Sequence, residues 1–144
     1  VPLEGSRVAV ACNDGTVALL DLDTHKIETP PLPKHQSSLI ARPGHGAGYL
    51  DASGNLILLD ASGSVSATAS LAARAAELVA LSNGEVGAAL VGGDLVIVDA
   101  SGAVRATGKG CDSPLALTAD AGRLVLVCRD GRVVAVGDEP KSPG

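Results

Sequence analysis

Three histidines are the residues whose chemistry first suggests acid–base catalysis or metal binding. They are His25, His35 and His45. An imidazole titrates near neutral pH and is a common metal ligand, but a zinc site needs several ligands at characteristic spacings. The sequence has no Cys-x-x-Cys or cysteine–histidine spacing of that kind. We therefore interpret the three as solvated loop histidines, with a metal-binding or catalytic role as the alternative.

Aspartates are the second set of candidate residues. Asp21-Leu-Asp23 starts like a calcium loop, but the later glycine and glutamate ligands are absent. The tetrapeptide Asp-Ala-Ser-Gly begins at Asp51, Asp60 and Asp99. Aspartate and serine side chains readily hydrogen-bond to the nearby backbone, so we predict turns here and not catalytic carboxylate pairs. The sequence also lacks a phosphate loop, a dinucleotide fingerprint and a Gly-x-Ser-x-Gly motif.

A repeat of about 39 residues organises the whole sequence. A glycine that opens an apolar run recurs at Gly15, Gly54, Gly93 and Gly131, and an aspartate that ends the run recurs at Asp21, Asp60, Asp99 and Asp138. An independent set of leucines has the same spacing: Leu39, Leu78 and Leu117. A fixed period of this length is typical of repeat architectures.

Each repeat unit contains short apolar runs separated by turn residues, which predicts strands. In the third unit the predicted strands are 78–81, 85–90, 94–99 and 103–107. Four antiparallel strands in about 40 residues make one blade of a β-propeller. The predicted fold is therefore all-β, a propeller of about four four-stranded blades. The predicted blades of this single domain are 1–32, 33–71, 72–110 and 111–144.

Composition limits the classes of function. The chain has 144 residues, of which 46% are hydrophobic, and Tyr49 is its only aromatic residue. A compact core of valine, leucine, isoleucine and alanine is expected. A net charge of −5 gives no basic surface for nucleic acid, and no apolar run approaches the ~18 residues of a membrane span. We predict neither nucleic-acid binding nor membrane insertion.

The register of the repeat predicts that this sequence is part of a larger propeller. Val1 aligns with Ile40 and Val79, in the middle of a first strand. Residues 140–144, which include two prolines, stand where a fourth strand would begin, and proline is a poor strand residue. Four blades also lie at the low end of the usual range of about 4–8.

Three cysteines, Cys12, Cys111 and Cys128, carry a prediction about covalent structure. The hairpin predicted from 115–119 and 123–127 brings Cys111 opposite Cys128, within reach of a disulfide. Cys12 occupies the place of Cys128 in its own unit, so the same spacing puts its partner before the first residue. The alternative is three buried free thiols. A disulfide would indicate an oxidising compartment, periplasmic, secreted or lipid-anchored outside the membrane.

One rim of the predicted propeller is the expected binding surface, because loops on a rigid scaffold often carry function. Turns between second and third strands share this rim with the connections between blades, including 109–114. His35 falls on it, and His25 and His45 fall on the opposite rim. The predicted ligand-binding residues are Asn13, Asp14, Lys34, His35, Gln36, Arg129 and Asp130.

Leu20-Asp21, Leu59-Asp60 and Val98-Asp99 resemble the strand-ending dipeptide of WD-repeat propellers with its tryptophan replaced. The pattern of blades also resembles quinoprotein-like propellers, but a chain without tryptophan lacks their quinone-docking residues. The segment from Cys111 to Cys128-Arg-Asp-Gly131 is similar to the cysteine-paired blade of exported bacterial propellers. That group includes periplasmic zinc metallochaperones, whose histidine after the first cysteine is absent here.

These observations predict a non-enzymatic binding or scaffold propeller that acts outside the cytoplasm. Its partner is expected to be a protein or a small molecule bound on the loop rim, and no cofactor is expected. One alternative is a periplasmic zinc-binding metallochaperone of the same fold. Another is a propeller enzyme whose catalytic residues lie partly in blades outside this sequence.

Overall fold

The computed structural model describes residues 1–137, which form fourteen β-strands. The strands are Arg7–Ala11 (β1), Val17–Asp21 (β2), Ile27–Glu28 (β3), Ile40–Arg42 (β4), Gly46–Leu50 (β5), Leu56–Leu59 (β6), Val65–Ala69 (β7), Ala75–Ala80 (β8), Val86–Leu90 (β9), Asp94–Val98 (β10), Val104–Lys109 (β11), Pro114–Asp120 (β12), Arg123–Cys128 (β13) and Val133–Gly137 (β14).

The strands form four separate antiparallel sheets, each made of strands that are consecutive in sequence. We call them blade 1 (β1–β3), blade 2 (β4–β7), blade 3 (β8–β11) and blade 4 (β12–β14). Blades 2 and 3 have four strands, and blades 1 and 4 have three. The all-β propeller architecture predicted from the repeat is confirmed. No helix within residues 1–137 has the length and apolarity that crossing a membrane requires.

Residues 71–78 are rich in alanine and favour helix locally. Eight residues are too few for a stable isolated helix, so the sequence predicts a connection with at most one helical turn and a first strand of blade 3 that begins at Leu78. Instead β8 begins at Ala75, which pairs with Leu90, and a bulge separates Ala75 from Glu77. Pairing with β9 thus overrides the helix propensity of an alanine-rich segment, because isolated short helices are only marginally stable.

The amino terminus lies beside β1, where the register predicts part of a first strand. The Val1 ammonium donates to the Ala9 carbonyl oxygen, and the Ala9 amide donates to Val1 at 2.7 Å. Pro2 forms a bridge with Val8 beside it. Val1 to Leu3 therefore run along β1, at the place where the register predicts a first strand. Residues 140–144, where a poor fourth strand was predicted, lie outside the described residues.

The Asp-Ala-Ser-Gly turns have the hydrogen bonds that the sequence predicts. Oδ1 of Asp60 accepts from the Ser62 hydroxyl at 2.6 Å and from the Ser62 amide at 2.9 Å. Asp99 makes the same bonds with Ser101. These donors favour the ionised carboxylate, so they hold the pKa of both aspartates below the ordinary value.

Acid is expected to destabilise these turns. Because the pKa of Asp60 and Asp99 is lower in the folded chain, their stabilisation is complete above the unfolded pKa, about 3.9, and is lost as the pH falls through the folded one. Thermal unfolding followed by circular dichroism should show the midpoint fall in acid. The double variant Asp60→Asn, Asp99→Asn should be less stable at neutral pH and decline less steeply. Asp112→Asn, at an exposed position outside the turns, is the control, and an unchanged acid profile in the double variant would contradict the assignment.

The blades pack through apolar faces, and three buried clusters occupy the spaces between them. Blades 1 and 2 enclose Val17, Tyr49, Ile57 and Leu59. Blades 2 and 3 enclose a cluster with Leu56, Leu58, Val86 and Val98, and blades 3 and 4 enclose one with Leu95, Ile97, Leu124 and Leu126. Blades 2 and 3 are thus buried on both faces, which keeps the loops at their edges in fixed relative positions.

Candidate functional site

The connection from blade 1 to blade 2 packs against the turn between β1 and β2. The His35 amide donates to the Gly15 carbonyl oxygen at 2.9 Å. The two ring nitrogens of His35 lie 2.7 Å from the Cys12 carbonyl oxygen and 3.1 Å from the Ser37 carbonyl oxygen. Backbone oxygens therefore occupy both sides of the imidazole. His35 holds the loop in place and leaves no ring nitrogen free for catalysis or metal binding.

Lys34 lies beside the same turn. Its aliphatic carbons are 3.4 to 3.8 Å from the point where a Cβ on Gly15 would stand. Asp14 accepts hydrogen bonds from the Thr16 hydroxyl at 2.6 Å and from the Thr16 amide, and these bonds, with Lys34 nearby, lower the pKa of the Asp14 carboxyl. Asn13 is exposed next to it. The structure thus brings together the predicted residues of the first two blades.

Tyr49, the only aromatic residue of the sequence, holds this connection through a hydrogen bond from blade 2. Its side chain is fully buried, and its hydroxyl donates to the Pro33 carbonyl oxygen at 2.8 Å. Burial, and to a smaller extent the Asp51 carboxylate, raise the pKa of Tyr49 to about 12. The hydroxyl therefore stays protonated and keeps the segment that carries Lys34 to Gln36 fixed to blade 2.

Gln36 points to the next blade, where it meets Arg74. In the amide orientation that satisfies both neighbours, the Gln36 oxygen accepts from Arg74 Nη2 and its nitrogen donates to Ala52, each at 3.3 Å. Both side chains are exposed. This pair bridges the connections that enter blade 2 and blade 3.

A cavity of about 310 Å³ opens on the rim beside this pair, between blades 2 and 3. Its polar lining includes Gln36, Ser37, Asp51, Arg74 and Glu77, and Ile40, Leu50 and Leu78 supply apolar surface. A guanidinium, two carboxylates and a hydroxyl around an apolar floor can hold a polar chain segment and cover its apolar side chains. We call this cavity and the adjacent Lys34 the rim site.

Arg74 was missed by the sequence analysis, although the repeat points to it. It lies 39 residues after His35, and Ser113 lies 39 residues after Arg74. The backbone contacts are equivalent as well. The Arg74 carbonyl oxygen accepts from the Val91 amide at 2.7 Å, and the Ser113 carbonyl oxygen accepts from the Arg129 amide at 3.0 Å. Extending the period from His35 would have identified Arg74 as the residue at the same rim position.

Arg129 and Asp130, the other predicted binding residues, are not part of the rim site. They lie in the turn between β13 and β14, in blade 4, with blade 3 between them and Lys34 to Gln36. Asp130 pairs with Arg132 at 2.8 Å, and hydrogen bonds from the Arg132 amide and side chain lower the pKa of the Asp130 carboxyl. The Asp130 carboxylate is thus paired within its own exposed turn.

Cys111 and Cys128 lie at disulfide distance, as predicted, with the sulfurs 2.16 Å and the Cα atoms 6.2 Å apart. The bond joins the connection between blades 3 and 4 to the end of β13. It also lines a second rim cavity of about 270 Å³, which Pro114 and Leu126 make largely apolar. Cys12 is free and half-buried.

The opposite rim carries His25 and His45, as the repeat register predicts. His25 lies in the turn after β2, and His45 lies in the turn between β4 and β5. Beside His45, buried Arg42 donates from Nε to the Gly84 carbonyl oxygen at 2.8 Å and from Nη1 to Leu59 at 3.0 Å. Burial lowers the pKa of Arg42, and its guanidinium donates to backbone oxygens of blades 2 and 3.

Within residues 1–137, no three histidine, cysteine, aspartate or glutamate side chains are grouped closely enough to hold a metal ion. Arg42 and His35 instead hydrogen-bond to main-chain oxygens, which stiffens the two rims. At the rim site, the charged side chains of Arg74 and Glu77 are exposed to solvent.

Comparison with known proteins identifies the fold. No protein-family model matches the sequence, and no curated protein matches it. Among solved structures, the chain is similar to the computationally designed Ika4 protein, with a TM-score of 0.68 and 18% identity over 93% of this chain and 86% of that one. At such identity the similarity shows the fold alone.

Two natural proteins share the fold over part of their length. BamB from Moraxella catarrhalis matches with a TM-score of 0.64 and 14% identity, over 94% of this chain and 41% of BamB. BBS1N, solved in complex with ARL6DN, matches with a TM-score of 0.61 and 14% identity, over 91% of this chain and 42% of that one. The chain therefore spans about two-fifths of the length of these propellers.

Proposed function

We propose that this chain is a non-enzymatic binding module that holds a protein partner on the rim site. The observation that carries the proposal is the cavity between blades 2 and 3, where Gln36 and Arg74 from two connections meet Asp51 and Glu77. The loops that present them are fixed by packed blades, so the site is preformed and little ordering is needed on binding. The proposed binding requires no cofactor.

The chemistry of the site favours a polar segment of a protein. Arg74 offers several N–H donors in one plane, and Lys34 offers a second positive charge beside the cavity. Ile40, Leu50 and Leu78 cover apolar groups of the same ligand. A propeller of this fold, BBS1N, was solved in complex with another protein, which supports the same class of role here. Because Asp51 and Glu77 line the same cavity, we propose as the ligand an extended or loop segment that carries acidic side chains toward Arg74 and Lys34 and a basic side chain toward the two carboxylates.

Charge reversal at Arg74 is expected to weaken partner capture on this rim. A photo-crosslinking amino acid at Gln36 should capture a discrete protein from extracts of the cells that produce the chain. Arg74→Glu should weaken this binding about tenfold or more, because a hydrogen bond to a charged group contributes about 1.5–3 kcal/mol. Lys34→Glu should weaken it in the same direction. The measurement is crosslink yield against protein concentration.

Lys26→Glu is the matched control for Lys34→Glu. Lys26 is an exposed lysine in the turn after β2, on the opposite rim, so its reversal changes the net charge by the same amount. It should leave the crosslink yield unchanged. Equal loss with Lys26→Glu, or capture that is unaffected by Arg74→Glu, would contradict binding at the rim site.

We further propose that the protein acts outside the cytoplasm. The Cys111–Cys128 pair supports this, because disulfides persist in oxidising compartments and are rare in the cytosol. The disulfide fastens the connection that leads into blade 4. An oxidising location would therefore keep that end of the rim in the conformation described above.

A further inference from the structure

Blades 1 and 4 each have an apolar sheet face that no other blade covers in the described part of the chain. Side chains alternate between the two faces of a strand, so the strand register shows which residues share a face. Within residues 1–137, the three buried clusters join blade 1 to 2, 2 to 3 and 3 to 4, and none joins blade 4 to blade 1.

The uncovered face of blade 4 repeats the face by which blade 3 packs on blade 4. It is formed by two cross-strand pairs: Val125 with Ala135, and Val127 with Val133. The equivalent pairs of blade 3 are Gly87 with Ile97, and Ala89 with Leu95. Leu95 and Ile97 are fully buried, whereas Val133 is 64% exposed. Blade 4 thus presents an interface of the same type without its partner.

The uncovered face of blade 1 repeats the face by which blade 3 packs on blade 2. Its cross-strand pairs are Val8 with Leu20, and Val10 with Ala18. The equivalent pairs of blade 3 are Val86 with Val98, and Ala88 with Val96, and all four are buried. Val10 is 41% exposed. The two ends of the four-blade array therefore carry complementary faces, the blade 4 face at one end and the blade 1 face at the other.

We propose that two copies of this chain associate head to tail, with blade 4 of each copy packed on blade 1 of the other. Such a contact continues the internal blade interfaces and, made twice, closes eight blades into one ring, within the usual range of about 4–8. A second copy supplies both missing faces at once, because the two uncovered faces repeat the two faces of blade 3 that are buried against its neighbours. The chain also matches only 41% of the BamB chain, as expected if its four blades are part of a larger ring.

The oligomeric mass of the chain tests the proposal directly. Light scattering after size exclusion should give 28.4 kDa, twice the chain mass of 14.2 kDa, over a concentration series. Val133→Glu and Val10→Lys should each give a monomer with an unchanged circular-dichroism spectrum. Mixing the two variants should restore a dimer, because one of its contacts is then unaltered and the other pairs a glutamate with a lysine.

Val91→Glu is the matched control, since Val91 is 60% exposed in a turn of blade 3, away from both faces. It should remain dimeric. A wild-type chain that stays at 14.2 kDa at every concentration would overturn the proposal, as would a dimer that neither Val133→Glu nor Val10→Lys disrupts. A monomer would instead fit faces covered by further blades of a longer polypeptide or by closure within one copy.

Discussion

Reduction of the Cys111–Cys128 disulfide is expected to lower the free energy of unfolding by about 3 kcal/mol. The bond closes a loop with a sequence separation of 17 residues, and a cross-link of that length restricts the unfolded chain by about this amount. Both sulfurs are buried in the cluster between blades 3 and 4, so the folded state is well packed around the bond. The measurement is urea unfolding of the same protein, oxidised and reduced.

Reduction breaks the bond but keeps both cysteine side chains in the core. The loss of stability therefore measures the contribution of the cross-link alone, without that of side-chain packing. The Cys111→Ala, Cys128→Ala variant loses both and should be at least as unstable as the reduced protein. Cys12→Ala is the control, because Cys12 is a free thiol. Reductant should lower the stability of this variant by the same amount as that of the wild type. Equal unfolding midpoints for the oxidised and reduced wild type would contradict a stabilising role for the bond.

Gly46→Ala is expected to destabilise the protein by about 3 kcal/mol, the sum of backbone strain and overpacking. Gly46 has φ +99°, and a Cβ there would overlap the backbone oxygens of Leu59 and Asp60. The Leu59 oxygen also accepts from Arg42 Nη1, so its displacement breaks a buried hydrogen bond. Thermal and urea unfolding of the purified variant measure the loss.

Gly44→Ala is the control within the same turn. Gly44 also has a positive φ, +76°, but no atom lies within 4 Å of its Cβ position, so only the backbone term of about 1–2 kcal/mol applies. The difference between the two variants therefore reports the close approach of β5 to the end of β6. Equal losses in the two would show that steric overlap at Gly46 is relieved by a backbone shift.

The rim site and the head-to-tail contact use different surfaces. The rim site lies on loops between blades 2 and 3, whereas the proposed contact uses sheet faces of blades 1 and 4. A dimer would present two rim sites on one ring, and a bivalent partner would bind it more tightly than a single site allows. Arg74→Glu and Val133→Glu test these two properties independently.

Local sequence determined the blades of this protein. The repeat of Gly54 and Gly93, with Asp60 and Asp99, marks turns and strand ends because positive φ and Asx hydrogen bonds depend only on a few adjacent residues. The disulfide was predictable for a related reason. Cys111 and Cys128 flank one hairpin, so the spacing within that hairpin alone places them together.

Only the tertiary structure decided what the polar side chains do. His35, a candidate for chemistry, is held between the backbone oxygens of Cys12 and Ser37, and Arg42 reaches Gly84, 42 residues away in sequence. Arg74 meets Gln36 across a blade boundary. These contacts depend on how one sheet packs against the next. The pattern of strands sets the sheets, but the distance and angle between their faces come from side-chain packing in the three buried clusters.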